Sequence, residues 1–464
     1  MDARPLKFAL ALALLSAALP AAAEDASTPP FPERWRAVAL AENAREAVLV
    51  ERAADPRACE VLFVDRYGAL SLLLGGRAYE IARSFKRYAP AGAHVVAYTV
   101  PLADKLALLY AWAGGKTLKL SDAAGAFAVR GDGSIAFVGA GDAPDGLFLW
   151  TPGARPIDAS RKIADDVDTV EAGVSGYFFR TLRPDRLYLA APGGVILIGD
   201  RLRFLADSPA GLIACEDRRG DLFLYDLPAR RLQPLTRDGR AFAPGVPSLG
   251  EFKLLFVDRN QDLREAKNVG AVPVLTTVQS RGSVGVLSHY AYDERGAYEP
   301  ITEEFAVLAR DAEVVSRDDR GRLLLWTGSA NRLIANNVAS FCVDLADGKV
   351  LFRKDDKLFL YRAGEVMEAG LASVAFVPLR GARVMYLDER RRLYLSSEGR
   401  TQPLLADEEV DATSLAVYPA DPAAARRFSR RIFHVGLEAL TPANEIVLLR
   451  TARGRLYLLF REEG

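Results

Sequence analysis

The chain has 464 residues, half of them hydrophobic, and its 60 lysine and arginine residues balance its 60 aspartate and glutamate residues. A formal net charge of zero argues against a nucleic-acid-binding protein, which would show a basic face, and provides no attraction to anionic membranes. The length is sufficient for one large domain or for two smaller domains.

The first residues have the pattern of a signal peptide. Arg4 and Lys7 form a positive start, residues 8–19 are almost entirely apolar, and small residues follow as a cleavage site. The apolar run is too short to span a bilayer, which needs about 20 residues. We therefore predict a signal peptide over residues 1–23, cleaved after Ala23. The mature protein is expected in the periplasm or outside the cell, with no membrane span.

The remaining chain repeats a hairpin pattern. An apolar strand leads through a turn rich in Gly and Asp into a second apolar strand that ends in an aromatic residue. The clear copies begin near residues 61, 106, 135, 212, 314, 350, 384 and 446, and weaker copies begin near residues 177, 254 and 286. Helical periodicity is nearly absent, and residues 421–428 alone predict a short surface helix.

Repeated hairpins indicate an all-β propeller. Many strands are apolar at nearly every position, as expected for strands covered on both faces by neighbouring blades. We predict a β-propeller over residues 24–464, with about eight four-stranded blades in a single ring. Two smaller rings, divided near residues 244–247, are the alternative. The hairpin at 446–460 lacks an outer strand, so residues 34–40 or 47–50 are expected to close that blade.

The cysteine pattern predicts packing rather than chemistry. Cys59, Cys215 and Cys342 lie far apart, each on or beside an apolar strand. An odd number excludes a fully paired disulfide framework, and free cysteine is among the most buried residue types. One disulfide remains open as an alternative in an oxidising compartment.

The histidines and one acidic turn are weak candidates for metal binding. The histidines are far apart and are interpreted as packed or surface residues; they are His94, His289 and His434. Residues 258–262 resemble the start of a calcium loop, but Leu263 and Val269 stand where that loop needs Gly and Glu. We interpret this segment as a hairpin turn, and predict no catalytic, cofactor-binding or metal-binding residue.

Two further groups have structural interpretations. The tryptophans that end apolar strands are predicted to pack in the blade core rather than to form a sugar platform; they are Trp112, Trp150 and Trp326. The basic cluster at residues 390–392 falls in a predicted hairpin turn, where charge is expected for solubility.

One repeat resembles a known family. Residues 208–211 read Ser-Pro-Ala-Gly, residues 217–220 read Asp-Arg-Arg-Gly, and the second strand ends with Leu224 and Tyr225 before a Leu-Thr pair at 235–236. This order is similar to the repeat of TolB-type, WD40-like (PD40) propellers. The resemblance implies a propeller fold and a role in periplasmic protein–protein interaction, without identifying the partners.

The sequence therefore predicts an exported, non-enzymatic propeller that presents a loop-built face to a protein or cell-envelope partner. We expect it to be a monomer and to need no cofactor. One alternative is a glycan-active or other hydrolytic enzyme, with acids from different blades converging on the central channel, and a third possibility is a small-ligand or metal-binding propeller. The candidate acids recur at hairpin turns and are Asp65, Asp217, Asp258 and Asp388.

Overall fold

The structure is a computed structural model in which all regular elements among the described residues are β-strands. Within the described part there is no helix of the length and apolarity that crossing a membrane requires. The described residues are 35–51, 58–92, 94–102, 107–139, 146–153, 160–207, 211–236, 241–245, 253–257, 263–269, 272–279, 291–292, 298–299, 305–307, 314–318, 320–327, 330–344, 349–370, 375–379, 383–397, 400–405, 407–411, 416–418 and 446–461. The predicted helix at 421–428 and the weak hairpin near 286 lie outside these ranges.

The strands of the N-terminal half form consecutive antiparallel units of four, which we number in chain order. After β1 (Trp35–Ala41), unit 1 contains β2 (Ala44–Glu51), β3 (Glu60–Asp65), β4 (Leu70–Leu74) and β5 (Arg77–Ala82). Unit 2 contains β6 (Arg87–Gly92), β7 (Val95–Pro101), β8 (Ala107–Ala113) and β9 (Lys116–Val129), and unit 3 contains β9, β10 (Ile135–Gly139), β11 (Gly146–Trp150) and β12 (Ser160–Asp165). Unit 4 contains β13 (Val167–Ala172), β14 (Tyr177–Leu182), β15 (Asp185–Ala191) and β16 (Gly194–Asp200). Unit 5 contains β17 (Leu202–Asp207), β18 (Leu212–Asp217), β19 (Leu222–Asp226) and β20 (Arg231–Thr236).

The C-terminal half continues the same arrangement. Unit 6 contains β21 (Ala241–Gly245), β22 (Lys253–Val257), β23 (Leu263–Val269) and β24 (Val272–Gln279), and a small pair follows, β25 (Ala291–Tyr292) and β26 (Tyr298–Glu299). Unit 7 contains β27 (Phe305–Val307), β28 (Val314–Arg317), β29 (Leu323–Trp326) and β30 (Asn331–Ala335). Unit 8 contains β31 (Val338–Asp344), β32 (Lys349–Lys354), β33 (Lys357–Arg362) and β34 (Glu365–Gly370). Unit 9 contains β35 (Ala375–Pro378), β36 (Arg383–Leu387), β37 (Leu393–Ser397) and β38 (Arg400–Leu405). Unit 10 contains β39 (Ala416–Tyr418), β40 (Ile446–Arg450), β41 (Leu456–Arg461) and β1.

The described residues thus hold ten four-stranded units, where the sequence predicted about eight blades. Eight of these units contain the clear hairpins, and units 4 and 6 contain the weak copies near residues 177 and 254. Units 2 and 3 share one seven-stranded sheet because β9 pairs with β8 through its first part and with β10 through its last part.

The two ends of the described chain share unit 10. β1 pairs antiparallel with β41, so that Trp35 lies opposite Arg461 and Ala39 lies opposite Tyr457. Residues 47–50, the other segment considered for this position, lie in β2 of unit 1. The sheet that contains the end of the chain therefore obtains its fourth strand from the beginning.

Neighbouring units pack face to face, which makes the strands apolar at successive positions. Val61 and Phe63 pack with Leu448 and Leu458 of unit 10, whereas Leu62 packs in a cluster that includes residues of unit 2. Similar clusters join units 3 and 4, 4 and 5, 7 and 8, 8 and 9, and 9 and 10. Sheets covered on both faces by their neighbours confirm the predicted all-β propeller.

The predicted core residues are buried. Trp150 is 1% exposed, Trp112 4% and Trp326 9%. Cys59 and Cys215 are fully buried, and burial raises the pKa of the Cys215 thiol. A thiol in this environment is held in its unreactive protonated form. The side chain of Cys342 lies outside those that the structure describes.

Candidate functional site

The turn between the second and third strands has the same five-residue form in five units. The N–H of its first residue donates to the carbonyl of its fifth at 2.8–3.1 Å, and the N–H of its fourth donates to the carbonyl of its first at 2.9–3.1 Å. The copies are residues 65–69, 217–221, 318–322, 388–392 and 451–455. We call this element the five-residue turn.

The fourth position requires a left-handed backbone. Gly68 and Gly220 have φ of 85°, Gly321 has 71° and Gly454 has 82°. Glycine is favoured there because it has no Cβ to clash in that region. Arg391 adopts φ of 59° in the copy that lacks glycine, which is strained for a side-chain-bearing residue.

The recurring aspartate at the first position binds its own turn. Asp65 Oδ1 accepts the N–H groups of Tyr67 at 2.8 Å and of Ala69 at 2.9 Å. Asp217, Asp318 and Asp388 accept the corresponding pairs of N–H groups at 2.8–3.1 Å. Short polar side chains commonly bond their own turn backbone in this way. The turn itself therefore explains why the aspartate recurs.

This role bears on the hydrolytic hypothesis. Three of its four candidate acids, Asp65, Asp217 and Asp388, accept hydrogen bonds from the backbone of three different turns. In the fifth copy Thr451 takes the place of the acid, and its Oγ1 accepts the Arg455 N–H at 3.1 Å. The position thus requires a hydrogen-bond acceptor rather than a carboxylate. Asp258 and the calcium-like turn around it lie outside the described residues.

The third position of the turn carries a repeated arginine. The turn uses only the backbone N–H of this residue, and the side chain is exposed in every copy. Tyr67, which is 75% exposed, takes the position in unit 1. The other copies have Arg219, Arg320, Arg390 and Arg453. In the part of the chain that the structure describes, no acidic side chain pairs with these four guanidinium groups.

The turns of units 9 and 10 are joined through the segment before β39. Val410 N–H donates to the Arg391 carbonyl at 2.9 Å, and Ala452 N–H donates to the Glu409 carbonyl at 2.7 Å. Val410 also forms an isolated β-bridge with Thr451. These contacts place the two five-residue turns beside each other.

The turns of units 10 and 1 are joined in the same manner. Ala44 N–H donates to the Gly454 carbonyl at 2.8 Å, and Arg66 N–H donates to the Asn43 carbonyl at 2.8 Å. Three successive five-residue turns therefore form one continuous edge of the molecule. We call the edge that carries the second-to-third turns the arginine edge.

Several acids of this edge bind an arginine. Arg455 contacts Glu42 at 3.3 Å and Glu408 at 2.8 Å, and its hydrogen bond to Glu408 raises its pKa. Glu409 lies 3.7 Å from Arg391, and Asp411 pairs with Arg450. These pairs neutralise Glu408, Glu409 and Asp411 of the segment before β39 and leave the third-position arginines facing solvent.

The opposite edge carries the first-to-second and third-to-fourth turns, and several of these turns have no charged residue. The third-to-fourth turns at residues 75–76, 114–115, 192–193 and 363–364 contain only Gly, Pro and Ala. Alternate turns of an antiparallel meander lie at opposite ends of the sheet, so these turns are separated from the arginine edge by the length of a strand.

The first-to-second turns on the opposite edge are hydrogen-bonded to neighbouring units through buried polar groups. Asp207 is 1% exposed and accepts the N–H groups of Val174 at 2.9 Å and of Ser175 at 2.6 Å. The Ser134 hydroxyl lies 2.8 Å from the Tyr177 hydroxyl, and burial raises the pKa of Tyr177. Each contact joins two neighbouring units, so the polar side chains of this edge stabilise the fold.

The structure places one of the three histidines. His94 is half exposed, and its Nδ1 contacts the buried carboxylate of Glu60 on the neighbouring unit. His289 and His434 lie outside the described residues. Within the described ranges, no group of three or more His, Cys, Asp or Glu side chains is arranged to hold a metal ion.

Sequence reasoning missed the repeated arginine. It interpreted residues 390–392 as a solvated turn and did not compare this turn with the others. The available signal was the aspartate that begins four of the turns, since aligning the turns on it superimposes Arg219, Arg320 and Arg390.

No protein-family model and no curated protein matches the chain. Among solved structures, the chain is similar to YCF48, in a structure in which that protein is bound to a D1 peptide. The two share 9% identity over 93% of this chain and 97% of that chain, with a TM-score of 0.31. The chain is also similar to Sqt1 of Saccharomyces cerevisiae, with 9% identity over 73% of this chain and 95% of that chain, and a TM-score of 0.34.

Proposed function

We propose that the protein is an exported TolB-type propeller that acts as a protein-interaction or cell-envelope scaffold and works as a monomer. The pattern of residues 1–23 supports export, and the repeat at 208–239 supports the TolB type. The arginine edge is the face that meets the partner.

The observation that carries this proposal is the difference between what the five-residue turn needs and what it displays. Folding of the turn uses the first-position acceptor and the left-handed fourth residue. The third-position side chain contributes nothing to that hydrogen bonding, and Tyr67 shows that folding does not require arginine there. Exposed arginine and tyrosine are residue types enriched at the centres of protein interfaces.

Capture from an envelope extract of the source organism tests the proposal. The full chain with a C-terminal tag is expected to retain one protein in stoichiometric amount, identified by mass spectrometry. A matched variant carries Arg219→Gln, Arg320→Gln, Arg390→Gln and Arg453→Gln and should lose that protein. Recovery of no protein, or of a bound glycan instead, would contradict the scaffold function.

The proposed export is tested by a separate measurement, the intact mass of the protein. The intact mass of the protein recovered from its source cells should correspond to a chain that begins at Glu24. Recovery in the cytoplasmic fraction with residues 1–23 still attached would contradict export. Light scattering of the same sample should give the mass of one chain.

A further inference from the structure

We infer that the arginine edge binds an acidic polypeptide segment, rich in Asp and Glu, on the partner. This inference rests on the proposed function and adds the chemistry of the partner. It starts from Arg219, Arg320, Arg390 and Arg453, which recur at one position of one turn. Repetition at equivalent positions places these side chains along one edge instead of scattering them over the surface.

The guanidinium groups are available to a ligand. Two described acids beside the turns of units 9 and 10, Glu408 and Glu409, bind Arg455 and Arg391, and the exposed Glu389 within the unit 9 turn pairs with neither Arg390 nor Arg453. The guanidinium N–H groups of Arg390 and Arg453 are exposed to solvent. A planar guanidinium matches a carboxylate with two parallel hydrogen bonds, which makes carboxylates a preferred ligand.

The arrangement extends in a line that suits an extended chain. Backbone hydrogen bonds link the turns at 388–392, 451–455 and 65–69 through the segments at 409–410 and 43–44. Each turn belongs to a separate unit, so Arg390, Arg453 and Tyr67 are presented at successive intervals along the edge. A polypeptide with several carboxylates can contact successive turns, and each contact raises the effective concentration for the next.

A protein partner fits this edge better than an anionic membrane. The repeated cations are all arginine, and Arg66 lies over the ring of the exposed Tyr67 at 4.7 Å. Arginine and tyrosine dominate protein interfaces, whereas binding to anionic lipid rests on dense clusters of basic charge.

Fluorescence anisotropy with labelled poly-L-glutamate tests the inference on the full chain. We expect saturable binding that weakens as salt is added. The variant with four Arg→Gln changes at 219, 320, 390 and 453 should bind about tenfold or more weakly, given the usual contribution of several surface ion pairs. Four Arg→Lys changes at the same positions should restore part of the binding, because charge is kept and the bidentate fork is lost.

The matched control removes four cations that flank third-to-fourth turns of the opposite edge. It carries Lys116→Gln, Arg161→Gln, Arg362→Gln and Arg400→Gln, each at an exposed position. This variant has the same net charge as the variant with four Arg→Gln changes, which we call the four-arginine variant. It should bind poly-L-glutamate like the parent protein. Equal losses in the two variants, or no binding by the parent, would overturn the inference.

Two further outcomes separate this inference from the proposed function. Binding to phosphatidylglycerol vesicles but not to poly-L-glutamate would overturn the acidic-polypeptide inference in favour of a membrane. Undiminished capture of an envelope protein by the four-arginine variant would also overturn it, while leaving the scaffold function intact. If the parent captures nothing from the extract but binds poly-L-glutamate, the scaffold function fails and the chemistry of the edge stands.

Discussion

The two edges of the molecule use polar side chains in opposite ways. On the opposite edge, polar groups such as Asp207 are buried and bind the backbone of the neighbouring unit. On the arginine edge, each five-residue turn satisfies its own backbone, and the third-position arginine is left without a folding role. The difference shows that the opposite edge joins its units through buried side chains, whereas the arginine edge joins its units through backbone groups and displays third-position side chains that the fold does not need.

The largest effect on stability is expected from substitutions at the opposite edge. Asp207→Ala removes the acceptor for two backbone N–H groups and should lower the free energy of unfolding by about 2–4 kcal/mol. Urea titration measures the change. Asp207→Asn retains one acceptor oxygen, so its free energy of unfolding should lie between those of the parent and the Ala variant. An Ala variant as stable as the parent would show that this edge does not depend on its buried carboxylate.

A smaller loss is expected when the first-position acceptor of the five-residue turn is removed. Asp65→Ala should cost about 1 kcal/mol, because the N–H groups that lose Oδ1 lie at a partly exposed turn and can bind water. Asp65→Thr should cost less, since Thr451 fills this position naturally in unit 10. The expected order in chemical denaturation is therefore parent, Thr, then Ala. A Thr variant as unstable as Ala would contradict the acceptor role.

Substitution at the fourth position of the turn should lower the free energy of unfolding by a similar amount. Gly220 has φ of 85°, and a Cβ in this left-handed region costs roughly 1–2 kcal/mol. Gly220→Asn should be milder than Gly220→Ala, because asparagine tolerates this conformation best among residues with a side chain. Thermal unfolding of both variants tests this order, and equal melting temperatures for Ala and parent would contradict it.

High pH should weaken the opposite edge through Tyr177. Burial raises the pKa of its phenol above the ordinary value of 10.0. The unfolded chain therefore ionises first, so stability is unaffected below pH 10 and falls as the pH rises above it. Urea titrations on both sides of pH 10 should show a smaller loss for Tyr177→Phe than for the parent. An equal loss in both proteins would exclude Tyr177 as its source.

The smallest stability effect is expected at the third-position arginines. Arg453→Gln should change the free energy of unfolding by less than about 0.5 kcal/mol, as is usual for an exposed side chain. Poly-L-glutamate binding should fall nonetheless. A large loss of stability would mean that the arginine has a role in folding, and would remove the contrast between the edges.

The strands could be predicted from sequence because propeller packing requires adjacent residues of a strand to be apolar. Val61 and Leu62 face two different neighbouring units, so both positions must be apolar and the hairpins stand out in the sequence. The weaker repeats near 177 and 254 also form complete units. Counting only the clear hairpins therefore gave fewer units than the described residues form.

The contacts between units could not be predicted. Asp207 binds Val174 and Ser175, which lie on another unit more than 30 residues earlier, and nothing in the local sequence selects that loop as its partner. The recurring aspartate was visible, but only the hydrogen bonds to Tyr67 and Ala69 distinguish a turn acceptor from a catalytic acid. The sequence aligns the arginines of three turns through this aspartate, but only the structure shows that Thr451 starts an equivalent turn and that Arg453 belongs to the same set.

The most direct test of the arginine edge is arginine footprinting of the captured complex. Phenylglyoxal modifies accessible guanidinium groups, and mass spectrometry compares the free protein with the protein bound to its partner. We expect protection of Arg219, Arg320, Arg390 or Arg453, with unchanged modification of Arg161, Arg362 and Arg400. Protection of the latter three, with the turn arginines still reactive, would place the partner on the opposite edge and show that the arginine edge is not the binding face.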